Sequence, residues 1–201
     1  MDVAIIAFDG FTDIDVFLPW DLLNRVDVRP WKVAILARTP QVTSVAGLTI
    51  PTHGGLALAA EARAVLVASG VGLRAALQDP AFIDALPLDP ARQLIGSMCS
   101  GALALAHKGL LAGKRATTYP TQRARLAAMG VEVVEEPFVR EGNIATAAGC
   151  LAALDLCGWM IEALAGAAQR EMVLRSVQPV GRGLAFDDTQ ALPARIYAPA
   201  T

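Results

Sequence analysis

Cys99 is the residue whose surroundings best suit it to chemistry. It stands in Gly96-Ser97-Met98-Cys99-Ser100-Gly101, where an apolar run meets the start of a helical pattern and small residues surround the sulfur, as a sharp strand-to-helix turn requires. A helix N-terminus at that point would favour the thiolate. Backbone N–H groups of Ser100 and of Gly70 or Val71 would stabilise negative charge developing on a bound substrate. The plainer alternative is that Cys99 is one more small buried apolar residue. Asp15 is the more diagnostic carboxylate. It interrupts the apolar stretch Ile14-Asp15-Val16-Phe17-Leu18, so it is either the buried partner of another polar group or a flaw in the core. Burial disfavours the charged form of a carboxyl, which would make Asp15 a usable proton donor. Its alternative is a helix-start role, which Thr12 already fills.

The other candidates are weaker. Asp9, Asp13 and Asp21 read as turn, first-turn and surface residues, and Asp187-Asp188 as a solvent-facing pair. There are two histidines. His53 follows a hairpin, and His107 falls at the end of the helix that leads from Cys99, where its charge is favoured. No histidine follows His107, so a papain-type or amidotransferase Cys-His arrangement finds no downstream base. Cys150 and Cys157 lie two helical turns apart on an apolar pattern, which points to core packing for both. The three cysteines form no CxxC pair and cannot all be matched in disulfides, as expected in a reducing cytoplasm and without a structural zinc site.

The elements that must position these residues alternate along the chain. Residues 3–8 are a continuous apolar run of the kind that forms a strand covered on both faces, and 31–37, 64–68 and 93–98 read as further strands. A helix is expected from Thr12 to about Arg25, with Thr12 and Asp15 at capping-box spacing. Residues 42–45 and 48–50, on either side of Ala46-Gly47, predict a small side hairpin. Short helical pieces follow residue 72, broken near Pro80, Pro87 and Pro90. Helices are expected over 101–107, 120–129, 149–165 and 169–175, and strands over 114–117, 131–135, 138–139 and 144–146. The sum is an α/β fold: a three-layer α/β/α sandwich with a mostly parallel central sheet, a side hairpin and a nucleophile elbow at Cys99. Ligands bind such sheets at the carboxyl ends of the strands, where the segments 9–15, 69–72 and 99–101 all arrive.

Composition narrows the function classes. A chain of 201 residues with 54% apolar and 18% charged residues suits one packed domain spanning 1–201, with an irregular tail over about 179–201. Net charge is -2 and the 17 basic residues are scattered, which argues against nucleic acid as a partner. The opening MDVAIIAFDG has no basic region of an export signal, and the apolar window 149–168 contains Asp155 and Glu162, which argues against a membrane span.

Four stretches in this order, FDGFTDIDVFLPWDLL, VASGVGL, IGSMCSGALALAHKGLLAGKRATTYP and EGNIATAAGCLAALDL, resemble the ThiJ/PfpI superfamily over about residues 3–162. This superfamily has a class I glutamine amidotransferase-like fold and includes the Parkinson's-associated deglycase and the isonitrile (isocyanide) hydratases. The resemblance implies that Cys99 is the elbow cysteine and that Asp15 is the acid beside it, an aspartate in the hydratases and a glutamate in the deglycase group. Ser100 takes the place of a threonine in typical hydratases and of a histidine in PfpI-type proteases, and Gly70 that of a glycine facing the sulfur.

The hydratase subgroup matches best and implies hydration of an organic isocyanide to an N-substituted formamide, on a small-molecule substrate, with no cofactor or metal and as a homodimer. Glyoxalase or deglycase action on methylglyoxal-type carbonyls is the nearest alternative, and a redox-sensing or chaperone-like role of Cys99 is the next. The sequence departs from the family pattern at Leu18-Pro19, at Ala68-Ser69-Gly70 and at Tyr119. Leu18, Trp20 and Met98 either line the pocket or pack in the core, core packing being the default for any one of them, and the long apolar helix and the tail are candidate interface elements.

Overall fold

Runs of apolar residues become strands wherever both faces are covered, and these strands set the frame of the computed structural model, which describes residues 1–185. β1 (Val3–Ile6) and β2 (Val33–Ala37) are buried at every position. β3 (Gln41–Thr43) and β4 (Thr49–Pro51) form the antiparallel side hairpin, and β5 (Gly54–Gly55) flanks β2. β6 (Ala64–Val67) and β7 (Leu94–Met98) follow. β8 (Arg115–Ala116) and β9 (Glu132–Val133) pair with each other outside the main sheet. β10 (Phe138–Glu141) and β11 (Ile144–Ala147) complete it.

The main sheet has seven strands in the order β10-β11-β7-β6-β1-β2-β5. Only β10 runs antiparallel to its neighbour; every other pair is parallel. The register aligns Ile6 with Val67, Val67 with Ser97, and Met98 with Ala147. Four adjacent strands therefore end level, and the loops after β1, β6, β7 and β11 all open at one edge.

The helices are α1 (Asp13–Asn24), α2 (Leu73–Ala76), α3 (Pro80–Asp84), α4 (Ala102–His107), α5 (Arg123–Ala127), α6 (Ala153–Ala165) and α7 (Ala167–Ser176). α6 packs against both α1 and α7. Side chains on β7 separate the layers. A Cβ on Gly96 would lie 2.6 Å from Met160 of α6, whereas the next residue, Ser97, faces the Gly101 turn that starts α4. Successive strand residues point to opposite faces, so α6 and α4 cover opposite sides of the sheet, consistent with a three-layer sandwich.

Two local expectations are corrected and one is borne out. Thr12 is the N-cap of α1 but makes no side-chain capping bond; the Asp15 N–H goes to the Thr12 carbonyl, and the reciprocal half of a capping box is missing because the Thr12 N–H donates to the Ser69 carbonyl while the Asp15 carboxylate accepts from the Ser69 hydroxyl. The two short helical pieces, α2 and α3, are separate as expected, with the break just ahead of Pro80. Pro80 begins α3, where its missing N–H costs nothing, and the Asp79 side chain accepts from the Ala81 N–H at 3.0 Å. Residues 150–152 form a 3-10 turn, so the long apolar helix begins only at Ala153. Of the expected tail, Val180 and Leu184 form a bridge, while residues 186–201, including Asp187 and Asp188, lie outside the described residues. Among the described residues no helix is long and apolar enough to cross a membrane.

Candidate active site

β7 ends at Met98 and the chain turns sharply at Cys99, with φ of 45°, into a 3-10 turn and then α4. Among the described residues Cys99 is the one non-glycine with positive φ, a conformation that costs about 1 kcal/mol. The neighbours hold it there. Thr118 donates its hydroxyl to the Cys99 carbonyl at 3.0 Å. Gly101 brings the turn so close to β6 that a Cβ would stand 2.6 Å from the Val67 carbonyl oxygen.

Asp15 reaches the same place from the first turns of α1 and is fully buried. The Ser69 hydroxyl, in the loop after β6, donates to Asp15 Oδ2, while Oδ1 has no hydrogen-bond partner among the described residues. The Ser69 loop is in turn held against the start of α1 by the Thr12 N–H donating to the Ser69 carbonyl at 2.8 Å. Gly70 follows with φ of 154°, and a Cβ there would lie 2.1 Å from the Gly10 carbonyl oxygen. Two backbones thus press together where only glycine fits. The Gly70 N–H points to Ser100 Oγ at 3.4 Å, so loop and elbow meet across the mouth of the site. All four residues singled out from sequence, Cys99, Asp15, Ser100 and Gly70, border one cavity of about 1120 Å³.

Two participants escape the sequence reading. Ser69 appears there only as a departure in a glycine loop, yet it is the donor to Asp15. Cys150, expected in the core with Cys157, instead lines the cavity from the 3-10 turn after β11. Asp15, Cys99 and Cys150 present a carboxylate oxygen and two sulfurs all within 4.8 Å of one another. The signal for Cys150 was its position: Gly149-Cys150 follows a buried strand next to β7, as Cys99 follows β7 itself. Cys157 is fully buried in α6, as expected.

Burial, and then the charge of Asp15, push the Cys99 thiol well above the ordinary thiol range, with the Gly149 backbone pulling the other way. Cys150 is pushed up to about 11, again by burial first and Asp15 next. Burial and Asp15 thus oppose the thiolate that the sequence leads one to expect. A helix N-terminus offers only about 0.3–1 kcal/mol, less than one pKa unit of opposing desolvation, about 1.4 kcal/mol. Two thiols and a carboxylate are also a donor set for a thiophilic cation, which would bind the sulfurs as thiolates.

Among the described residues no histidine lines the cavity. His53 accepts from the Ile35 N–H at Nδ1, 3.1 Å away, and stacks on Trp20 with ring centroids 5.0 Å apart; His107 is exposed at the end of α4. Trp20 therefore faces His53, and neither it nor Leu18 nor the fully buried Met98 lines the cavity; core packing, the default for each, holds. Tyr119, Arg74 and Arg125 do line it, with Tyr119 and Arg74 exposed.

The DJ-1/PfpI family model matches residues 1–163. An isonitrile hydratase from Pseudomonas putida is 27% identical over 178 residues, spanning 86% of this chain and 76% of that protein. A ThiJ/PfpI family protein from Pseudomonas syringae superposes with a TM-score of 0.80 at 29% identity, over 89% of this chain and 76% of its own. DJ-1 of Schizosaccharomyces pombe superposes with a TM-score of 0.77 at 19% identity, over 90% of this chain and all of its own, a likeness of fold.

Proposed function

The chain belongs to the DJ-1/PfpI family, and from that premise we propose that it is a cysteine-dependent isonitrile hydratase, adding water to an organic isocyanide to give an N-substituted formamide. The observation that carries this reading is the fully buried Asp15 within 4.8 Å of the Cys99 sulfur, in a cavity that no histidine lines among the described residues. A Cys-His protease needs an imidazole base, and neither histidine is placed to be one. An acid that can hold and return one proton is what isocyanide chemistry requires. The likeness to a Pseudomonas putida isonitrile hydratase supports the same choice.

The steps follow from where the proton rests. With Cys99 a thiol, Asp15 takes its proton through the unpartnered Oδ1 and delivers it to the terminal carbon of R–N≡C as the sulfur bonds to that carbon. The product is a thioimidate, R–N=CH–S, on Cys99. Water adds to the same carbon, the C–S bond breaks, the sulfur regains a proton, and R–NH–CHO leaves. The Ser100 hydroxyl, which accepts from the Gly70 N–H, orients the water and the nitrogen lone pair at the cavity mouth. Three free cysteines suit a reducing cytoplasm, and the family resemblance implies a homodimer.

Parallel assays with several organic isocyanides and with methylglyoxal test the reading. Formamide formation is expected from the isocyanides; turnover of methylglyoxal alone would replace the hydratase with a glyoxalase.

A further inference from the structure

We infer that Cys150 is a resolving thiol for Cys99, so that a hydroperoxide converts the pair into a reversible Cys99–Cys150 disulfide within the site. The inference shares with the proposed hydration the reactive sulfur of Cys99 and the proton carrier Asp15, and does not depend on the substrate.

Geometry carries it. The two sulfurs lie within 4.8 Å of each other, and both border the cavity. Their proximity is built into the sheet. β7 and β11 are adjacent and parallel with Met98 opposite Ala147, so the turns that follow them bring Cys99 and Cys150 to the same point. Cys150 sits in a 3-10 turn ahead of α6 rather than within the helix, and is half-buried. A small hydroperoxide entering the cavity reaches both thiols, and Asp15 lies beside both to carry protons. Cys157 has no such access, being fully buried in α6.

The chemistry balances in two steps. The Cys99 sulfur attacks the terminal oxygen of R–OOH, the O–O bond breaks, and the thiol proton passes by way of Asp15 to the departing alkoxide, leaving sulfenic acid and R–OH. The Cys150 sulfur then attacks the Cys99 sulfur. The S–O bond breaks, and the departing hydroxide takes the Cys150 thiol proton and leaves as water. Two electrons have moved from the thiol pair to the peroxide. A lone elbow cysteine has no such exit and climbs to the irreversible sulfinic acid when peroxide persists. A dithiol reductant restores both thiols by exchange.

The test treats the full-length protein, Cys150→Ala and Cys157→Ala with hydrogen peroxide, blocks the remaining thiols, and reads intact mass and cysteine peptides. The wild type and Cys157→Ala are expected to lose two hydrogens, with Cys99 and Cys150 linked and both thiols regained with a dithiol. Cys150→Ala is expected to gain oxygen at Cys99 instead, most of it not reversed by a dithiol. Oxygen gained at Cys99 in the wild type with Cys150 still free, a link to Cys157, or no reaction with peroxide would each overturn the inference. None of these readouts uses an isocyanide, so they stand apart from failure of the hydratase reading.

Discussion

The Ser69 hydroxyl donates to one oxygen of the buried Asp15 and leaves the other without a hydrogen-bond partner among the described residues. A carboxylate removed from water with half of its acceptor capacity unused is expensive unless the free oxygen has something to do. The two thiols beside it supply that use. Oδ2 is anchored to the loop after β6, and Oδ1 is free to take a proton.

The anchor is measurable. Ser69→Ala leaves both carboxylate oxygens unpaired and should lower stability by about 1–3 kcal/mol. Urea denaturation of the variant against the wild type reads this directly, and an unchanged midpoint would remove Ser69 from the site.

The charge of Asp15 and the state of Cys99 are coupled with a definite sign. A negative charge beside the sulfur disfavours the thiolate, so Asp15→Asn should lower the Cys99 pKa and speed its alkylation by iodoacetamide, by roughly tenfold at pH 8 if one pKa unit is relieved. In the wild type, alkylation of Cys99 should keep rising with pH through the ordinary thiol range without levelling. The same substitution should slow isocyanide hydration, because the proton carrier is gone. A variant with a more reactive sulfur and less turnover separates nucleophilicity from proton handling.

Gly70 tests the close approach of the loops. Gly70→Ala places a methyl 2.1 Å from the Gly10 carbonyl oxygen and should cost about 2–4 kcal/mol. Gly55→Ala, where nothing lies within 4 Å of the new Cβ, should change stability by no more than about 0.5 kcal/mol. Comparing the two by thermal unfolding distinguishes a backbone clash from a general intolerance of alanine.

The sheet and the meeting of Cys99, Asp15, Ser100 and Gly70 were legible because strands covered on both faces read as apolar runs, and the residues just past their ends must gather at one edge. Cys150 was hidden by spacing. Seven residues before Cys157, it fits a helical stripe, and only the 3-10 turn at 150–152 takes it out of the helix and into the cavity. Ser69 was hidden because a serine in a glycine turn carries no mark of its partner, which comes from an element 54 residues away. The direction of Trp20 was not legible because proximity in sequence to Asp15 does not fix where a side chain on α1 points; its ring turns to His53. The capping-box spacing of Thr12 and Asp15 was real, but the tertiary partner Ser69 claimed the carboxylate.

The central claim is that Cys99 and Asp15 together hydrate an isocyanide. Its most direct test is formamide release from a simple organic isocyanide by the wild type, Cys99→Ser and Asp15→Asn, each verified as folded. The account predicts turnover by the wild type, none above background for Cys99→Ser, and a loss of about 100-fold or more for Asp15→Asn, the scale of a positioned acid–base group. Undiminished turnover in either variant, or an inert wild type across several isocyanides, would contradict it.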